Sequence, residues 1–186
     1  MDLTGRIDML LSQSRKEWEN PDDVFKDVPF ERIHTAVDLG CGPGFFTIPI
    51  AEKISDGYVY AIDANENMLE ALKKRVPKGM IDRIKTINST ATYTGIESES
   101  VDFVFMANVF HDFNDRKAVL SEIRRILKNG GILMDLDWKK DSGSFGPPQE
   151  IRIDPEIAKK EIQSAGFDLI SEFQSGPHHY GLMFKK

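Results

Sequence analysis

The chain offers little sulfur chemistry. Cys41 is the one cysteine among 186 residues, so no disulfide can close within the chain, which fits a reducing, cytoplasmic setting. No apolar run approaches the ~20 residues needed to span a bilayer. The opening MDLTGRIDMLLSQSRKEWEN carries acids where a secretory leader has an uninterrupted apolar core. Membrane insertion is therefore not expected. Basic charge is scarce too: 30 acidic against 24 basic residues leave a net charge of −6, and no stretch forms a basic patch. A nucleic-acid binder ordinarily carries a positive field that displaces counterions from phosphates, so the balance points away from DNA and toward a small or neutral substrate. Metal binding is not expected either. Among the 4 histidines only His178 and His179 are close in sequence, and neighbouring strand residues point to opposite faces.

What the chain does have is an alternation of short apolar runs and helical patterns. Leu3, Ile7, Leu10, Leu11 and Trp18 recur at helical spacing and predict an amphipathic N-terminal helix, ended at Asn20-Pro21-Asp22-Asp23 because proline cannot continue a helix. Residues 35–39 read as a first buried strand, followed by a glycine turn and a helical pattern over 45–54. Further strands are expected at 58–62, 84–88, 101–106 and 132–136. Helices are expected over 66–75 and 116–128, the second closed by Asn129-Gly130-Gly131. Asp154-Pro155 is an N-cap with proline at the first helical position, and Gly166 closes that helix. The last strands, 168–173 and 180–184, are separated by too little chain for a helical crossover and are expected to pair antiparallel.

The fold class that follows is α/β, with a mostly parallel seven-stranded sheet, an antiparallel last strand and helices on both faces. Residues 1–186 are expected to form a single domain, with 1–30 as an N-terminal helical cap and 31–186 as the core. The loop 142–148 is rich in glycine and proline, but the chain behind it, about forty residues, is too short for a second core.

The stretch VDLGCGPGFF, residues 37–46, concentrates Gly40, Gly42 and Gly44 directly behind the first strand. In an open α/β sheet that loop lies where ligands bind, and glycines let the backbone turn sharply and approach a ligand. The spacing misses the dinucleotide pattern G-x-G-x-x-G, because position 45 is Phe, and no Gly-Lys-Ser/Thr follows to make a phosphate loop. VDLGCGPGFFTIPIA instead resembles the first motif of the class I S-adenosylmethionine-dependent methyltransferases, a Rossmann-like family whose seven strands end in just such a reversed hairpin. The likeness covers residues 30 to 186. It is greatest to the small-molecule group that includes the ubiquinone-biosynthesis C-methyltransferases.

The resemblance implies S-adenosylmethionine as cofactor and assigns several residues to it. Gly40, Cys41, Gly42 and Gly44 would face its amino-acid end. Asp38 would hold the amino group or orient the loop. Asp63, at the end of the second strand with Ala64 behind it, would accept both ribose hydroxyls, a task suited to a group that offers only acceptors; the alternative is an N-cap. Thr90 and Ala91 fall where the family places its adenine contacts, with a neutral residue in place of an acid. Asn65 and Met68 are the alternative adenine neighbours. In MANVFHDF, Ala107 and Asn108 would lie near the sulfonium. The Asn/Asp-Pro-Pro-aromatic motif of DNA amino-methyltransferases is missing there.

Methyl transfer is a direct displacement in which the protein mainly aligns the nucleophile. His111, in the loop after the fourth strand, is the candidate general base, with an ordinary pKa of ~6.5; its alternative is packing under that loop. Trp138, His178 and Tyr180 are candidates for the acceptor pocket, His178 and Tyr180 sharing one face of the final hairpin and His179 the other. Asp137 sits on the same rim, and Trp18 is a candidate lid. The expected function is methylation of a small-molecule acceptor. The alternatives are a non-catalytic binding subunit acting with a partner, and protein or RNA methylation. The short acceptor loops leave a pocket that is either open or completed by a second copy of the chain, as a homodimer.

Overall fold

The computed structural model describes residues 2–141, 143 and 146–186. Seven strands, β1 (Thr35–Leu39), β2 (Tyr58–Asp63), β3 (Ile84–Asn88), β4 (Val101–Ala107), β5 (Leu127–Trp138), β6 (Asp168–Ser175) and β7 (His179–Lys185), form one sheet in the order β3-β2-β1-β4-β5-β7-β6. All neighbouring pairs are parallel except those made by β7, which is antiparallel to both β5 and β6. The expected α/β class and reversed last strand are both present. β1 is buried at every position, as a strand covered on both faces must be.

The helices are α1 (Leu3–Leu10), α2 (Gln13–Trp18), α3 (Pro21–Val24), α4 (Thr47–Lys53), α5 (Glu66–Arg75), α6 (Arg116–Ile126) and α7 (Pro155–Ser164). Side chains from α3, α4 and α5 pack on one face of the sheet against Ala36, Val59, Phe103 and Phe105. Those of α6 and α7 pack on the other against Val37, Val104, Leu133 and Leu182.

Three expectations need correction. The N-terminal segment is not one helix but three. Asn20-Pro21 opens α3 instead of ending a helix: Asn20 accepts from the amide of Asp22, and proline occupies the first helical position, where no N–H is needed. The helix after the glycine turn begins at Thr47, because residues 41–46 are consumed by turns. The helix from Arg116 ends at Ile126, and the glycines behind it belong to β5. Leu127 already pairs with Val101, and Ile132 with Phe103, with an irregularity between them. Gly130 takes φ +80° there and donates to Lys186 O, while Gly131 O accepts from Lys186 N. The glycines thus make a bulge facing the chain terminus, a use of Gly that local sequence does not distinguish from a helix cap. The loop expected over 142–148 lies partly outside the described residues.

No helix among the described residues is long and apolar enough to cross a membrane, and no cluster of three or more metal-ligating side chains occurs among them.

Candidate functional site

The strand order reverses between β1 and β4, so the loops leaving their carboxyl ends diverge and open a crevice. A cavity of about 140 Å³ lies there. Its wall is drawn from the loop after β1 (Asp38 to Phe46), the end of β2 (Asp63, Asn65, Met68) and the segment after β4 (Ala107, Asn108, Val109, Asp112). The N-terminal helices close it with Arg6, Leu10 and Arg15.

The glycine loop is held by its own bonds. Gly40 N and Cys41 N both donate to Ile62 O, Gly44 N donates to Cys41 O, and Gly42 N donates to Asp63 Oδ2 at 2.8 Å. Arg75 on α5 braces it by donating to Pro43 O. Gly44 has φ +85°, and a Cβ there would meet Leu72 Cδ1 at 2.2 Å, so the loop is seated directly on α5. At Gly42, φ +52°, a Cβ would meet only Leu10 Cδ1, at 4.0 Å. That open space is the cavity.

Two carboxylates form its floor. Asp63 accepts from Gly42 N through one oxygen and from Asn65 N, at 2.8 Å, through the other. It is not the cap of α5; Asn65 is, accepting from Asn67 N. Each Asp63 oxygen keeps a further lone pair for a ligand. Asp38 is buried and accepts from Thr47 Oγ1 at 2.6 Å. Burial pushes its pKa up to about 7, against the lowering effects of the Thr47 hydroxyl and the Arg15 charge. Burial likewise raises the Cys41 thiol well above its ordinary value, which leaves it inert as a nucleophile.

On the roof, Arg15 lies 4.3 Å over the Phe45 ring and donates to Glu19 Oε2 and Leu10 O. Glu19 is 1% exposed and also accepts from Asn108 Nδ2 at 2.9 Å. Although burial opposes its charge, Arg15 above all, then His179 and Asn108, hold its pKa down to about 2. Asn108 has φ +58°, a left-handed conformation uncommon outside glycine. Its Oδ1 is buried with no partner among the described residues.

Behind the cavity, His111 Nδ1 donates to Asp137 Oδ1 at 2.7 Å, and His111 N donates to Asp137 Oδ2 at 3.1 Å. The ring is thereby fixed with Nε2 as its basic atom, and Nε2 lies 3.4 Å from Asp112 Oδ1. Burial lowers the pKa of His111, but the hydrogen bond and charge of Asp137 outweigh it and raise the value.

Residues 37–134 match the family described as Methyltransferase domain, a span that covers the glycine loop, Asp63 and the β4 loop. The chain belongs to that family. The chain is 36% identical over 111 residues to trans-aconitate 2-methyltransferase of Rhizobium rhizogenes, an alignment covering 60% of this chain and 41% of that protein. Like other curated relatives, that protein is matched over about half its length. Two solved structures are matched almost end to end. A SAM-dependent methyltransferase from Aquifex aeolicus is 27% identical with a TM-score of 0.89, covering 100% of this chain and 99% of that one. A putative type 11 methyltransferase from Sulfolobus solfataricus is 31% identical with a TM-score of 0.73, covering 95% and 93%. The Aquifex aeolicus protein is named for its dependence on S-adenosylmethionine.

The residues present fit that group. The space beside Gly42 accommodates a ligand against the backbone, Asp63 offers acceptors for vicinal hydroxyls, and the unpartnered Asn108 Oδ1 awaits a donor such as an ammonium.

Of the residues expected at the cofactor, Asp38, Gly40, Cys41, Gly42, Asp63, Met68, Ala107 and Asn108 line the cavity; Gly44, Ala64, Thr90 and Ala91 do not. Thr90 Oγ1 lies 3.2 Å from Thr92 Oγ1, and Ala91 packs on the α6 side of the sheet. His111 is not in the lining, although Val109 and Asp112 on either side of it are. The hairpin residues separate differently from the strand alternation expected for them. His178 precedes β7 and sits in the turn, with its ring against Trp18 and Trp138. His179 is fully buried with its ring 4.1 Å from Trp138, and its Nε2 lies 2.9 Å from Glu19 Oε1. Tyr180 is buried on the α6–α7 side, away from the cavity.

Sequence reasoning missed Arg15 and Glu19, which sit in a charged stretch that resembles a solvated helix face. It also missed Asp135 on β5, fully buried, with neither carboxyl oxygen bonded among the described residues and its pKa raised well above the ordinary value by burial.

Proposed function

We propose that the chain transfers the methyl group of S-adenosylmethionine to a small-molecule acceptor, acting as one unit over residues 1–186 with 1–30 as its cap, in the cytoplasm. The observation that carries this reading is the placement of Asp63, which accepts from Gly42 N of the glycine loop through one oxygen and from Asn65 N through the other while lining a cavity at the switch point of the sheet. The acceptor class is supported by the relative named for trans-aconitate and by the net charge of −6.

Bound in the cavity, S-adenosylmethionine supplies an electrophilic methyl on a sulfonium sulfur. The chain's own part is to position and to move a proton. Asp63 holds the ribose, Asp38 and Asn108 Oδ1 face the ammonium, and Val109 and Asp112 border the acceptor side. His111 Nε2 takes the proton of an acceptor that arrives protonated, and Asp137 stabilises the imidazolium formed. Trp138 and His178 form the outer aromatic edge of the acceptor pocket.

The direct test is calorimetric titration of the chain with S-adenosylmethionine and S-adenosylhomocysteine, followed by transfer of a labelled methyl group to candidate acids beginning with trans-aconitate. Micromolar binding and product formation support the reading. A folded chain that binds neither nucleoside removes it.

Two pH effects follow. Asp137→Asn is expected to lower the pKa of His111, seen as a move of its imidazole titration midpoint to lower pH by NMR and as a shift of the acidic limb of kcat/KM to lower pH. The sign is definite. A histidine whose folded pKa is raised contributes stability below its ordinary value, and loses that contribution as pH rises through the folded value; the variant loses this dependence. Asp38, also raised, has the same sign. With a folded pKa of about 7, it keeps its proton where the unfolded chain has lost it, so its burial costs stability as pH rises from its ordinary value. An ammonium brought beside it drives that proton off. Cofactor binding near pH 6.5 is therefore expected to release about one proton at most, measured from the buffer dependence of the binding enthalpy, and Asp38→Asn abolishes the release.

A further inference from the structure

The roof of the cavity carries chemistry that the glycine loop cannot supply. The methionine end of the cofactor bears a carboxylate, which needs N–H donors or a cation when taken out of water. The amides of Gly40, Cys41, Gly42 and Gly44 are all bonded within the protein, and Pro43 has none. Asp38 and Asp63 on the floor repel a further anion. Arg15 remains. Its Nε donates to Glu19 and its Nη1 to Leu10 O, while Nη2 has no protein partner among the described residues. Stacking on Phe45 fixes the plane of the fork at the cavity wall, and a fixed planar fork suits a carboxylate.

We propose that Arg15 anchors the carboxylate of the cofactor's methionine end, and that Glu19 is the positioning residue that holds both Arg15 and Asn108 toward that end. The proposal rests on the cofactor reading above. One Glu19 oxygen takes the Arg15 Nε–H, and the other takes the Asn108 amide. An ionised carboxylate can only accept, so it dictates that Asn108 turn its nitrogen toward Glu19 and leave Oδ1 unpartnered. One buried charge thereby sets a cation for the ligand's anion and an acceptor for its ammonium.

The test uses the full chain and two ligands in calorimetry: S-adenosylhomocysteine, and 5′-methylthioadenosine, which keeps the nucleoside and thioether but lacks the amino-acid end. Arg15→Met, which preserves the apolar stem over Phe45, is expected to weaken S-adenosylhomocysteine about 10- to 100-fold and to leave methylthioadenosine within about twofold. Glu19→Gln is expected to show the same selectivity at about 5- to 10-fold, with Glu19→Asp recovering part of it. Arg15→Lys, which keeps the charge without the fork, gives an intermediate loss and serves if Arg15→Met lowers the melting temperature. Lys16→Met, at an exposed position next to Arg15 and outside the cavity lining, leaves both affinities unchanged. Equal loss of both ligands in Arg15→Met, loss of neither, or a selective loss that follows the other wall cation in Arg6→Met would overturn the assignment while the cofactor reading stands. A wild-type chain that binds neither ligand overturns both.

Discussion

Asp63→Ala is expected to weaken S-adenosylhomocysteine binding at least about 100-fold, because two charge-assisted hydrogen bonds of about 1.5–3 kcal/mol each are removed from a part-buried site. The loss has two origins. The ribose forfeits its acceptors, and the amides of Gly42 and Asn65 forfeit theirs, so the loop that frames the cavity loosens at the same time. Asp63→Asn separates them. One oxygen remains to accept from the loop, but the charge and the second acceptor are gone, so its affinity should fall between wild type and alanine. Calorimetry gives the affinities, and circular dichroism verifies that the sheet survives, as it should for a change at a strand end. Wild-type affinity in Asp63→Ala would place the ribose elsewhere and leave this carboxylate a purely structural clasp.

Phe25→Ala is expected to lower stability by about 3–5 kcal/mol, the range for emptying a buried phenylalanine site. In a domain of this size that lowers the melting temperature by about 6–20 °C. Phe25 follows α3 and is 2% exposed. Its ring meets Phe30, Phe46, Phe103 and Phe105 edge-on, with centroids 5.7, 5.7, 6.4 and 4.9 Å away. These partners belong to three parts of the chain: the entry to β1, the glycine loop and β4. Removing the ring therefore unties the N-terminal helices from the sheet as well as leaving a void that neighbouring rings cannot fill. Because those helices carry Arg15 over Phe45, ligand affinity should fall along with the melting temperature. Leu3→Ala, at a residue 42% exposed on α1, should stay within about 0.5 kcal/mol of wild type. A Phe25 variant as stable as wild type would mean that the aromatic cluster repacks without loss.

Much of this was written locally. The strand runs are short and apolar, and the helix between Asn65 and Val76 carries its own cap, its own apolar face and a proline beyond its end, so its ends were legible. The glycine spacing behind β1 and the acid at the end of β2 stand out because few side chains, or none, fit those backbone positions. Where one local signal serves two structures, the reading went astray. Gly130 and Gly131 make a helix cap or a strand bulge equally well, and contacts with Lys186 made them a bulge. Asn20-Pro21 ends one helix or begins another, and the choice fell to α3 because Phe25 has a hydrophobic site waiting for it.

By itself the sequence determined the α/β class, the reversed final hairpin, and the places of the glycine loop and of the acid that ends β2. These follow from periodicity, glycine geometry and spacing along a short stretch of chain. Tertiary structure alone decided the partnerships between distant residues: Arg15 with Phe45, Glu19 with Asn108 and His179, His111 with Asp137. It alone turned Tyr180 into the core and spent the glycine-loop amides on Ile62 and Asp63. The physical reason is burial. A charged residue reads as solvated until the fold brings in the one counter-charge that lets it stay charged out of water, and that counter-charge can lie anywhere in the chain.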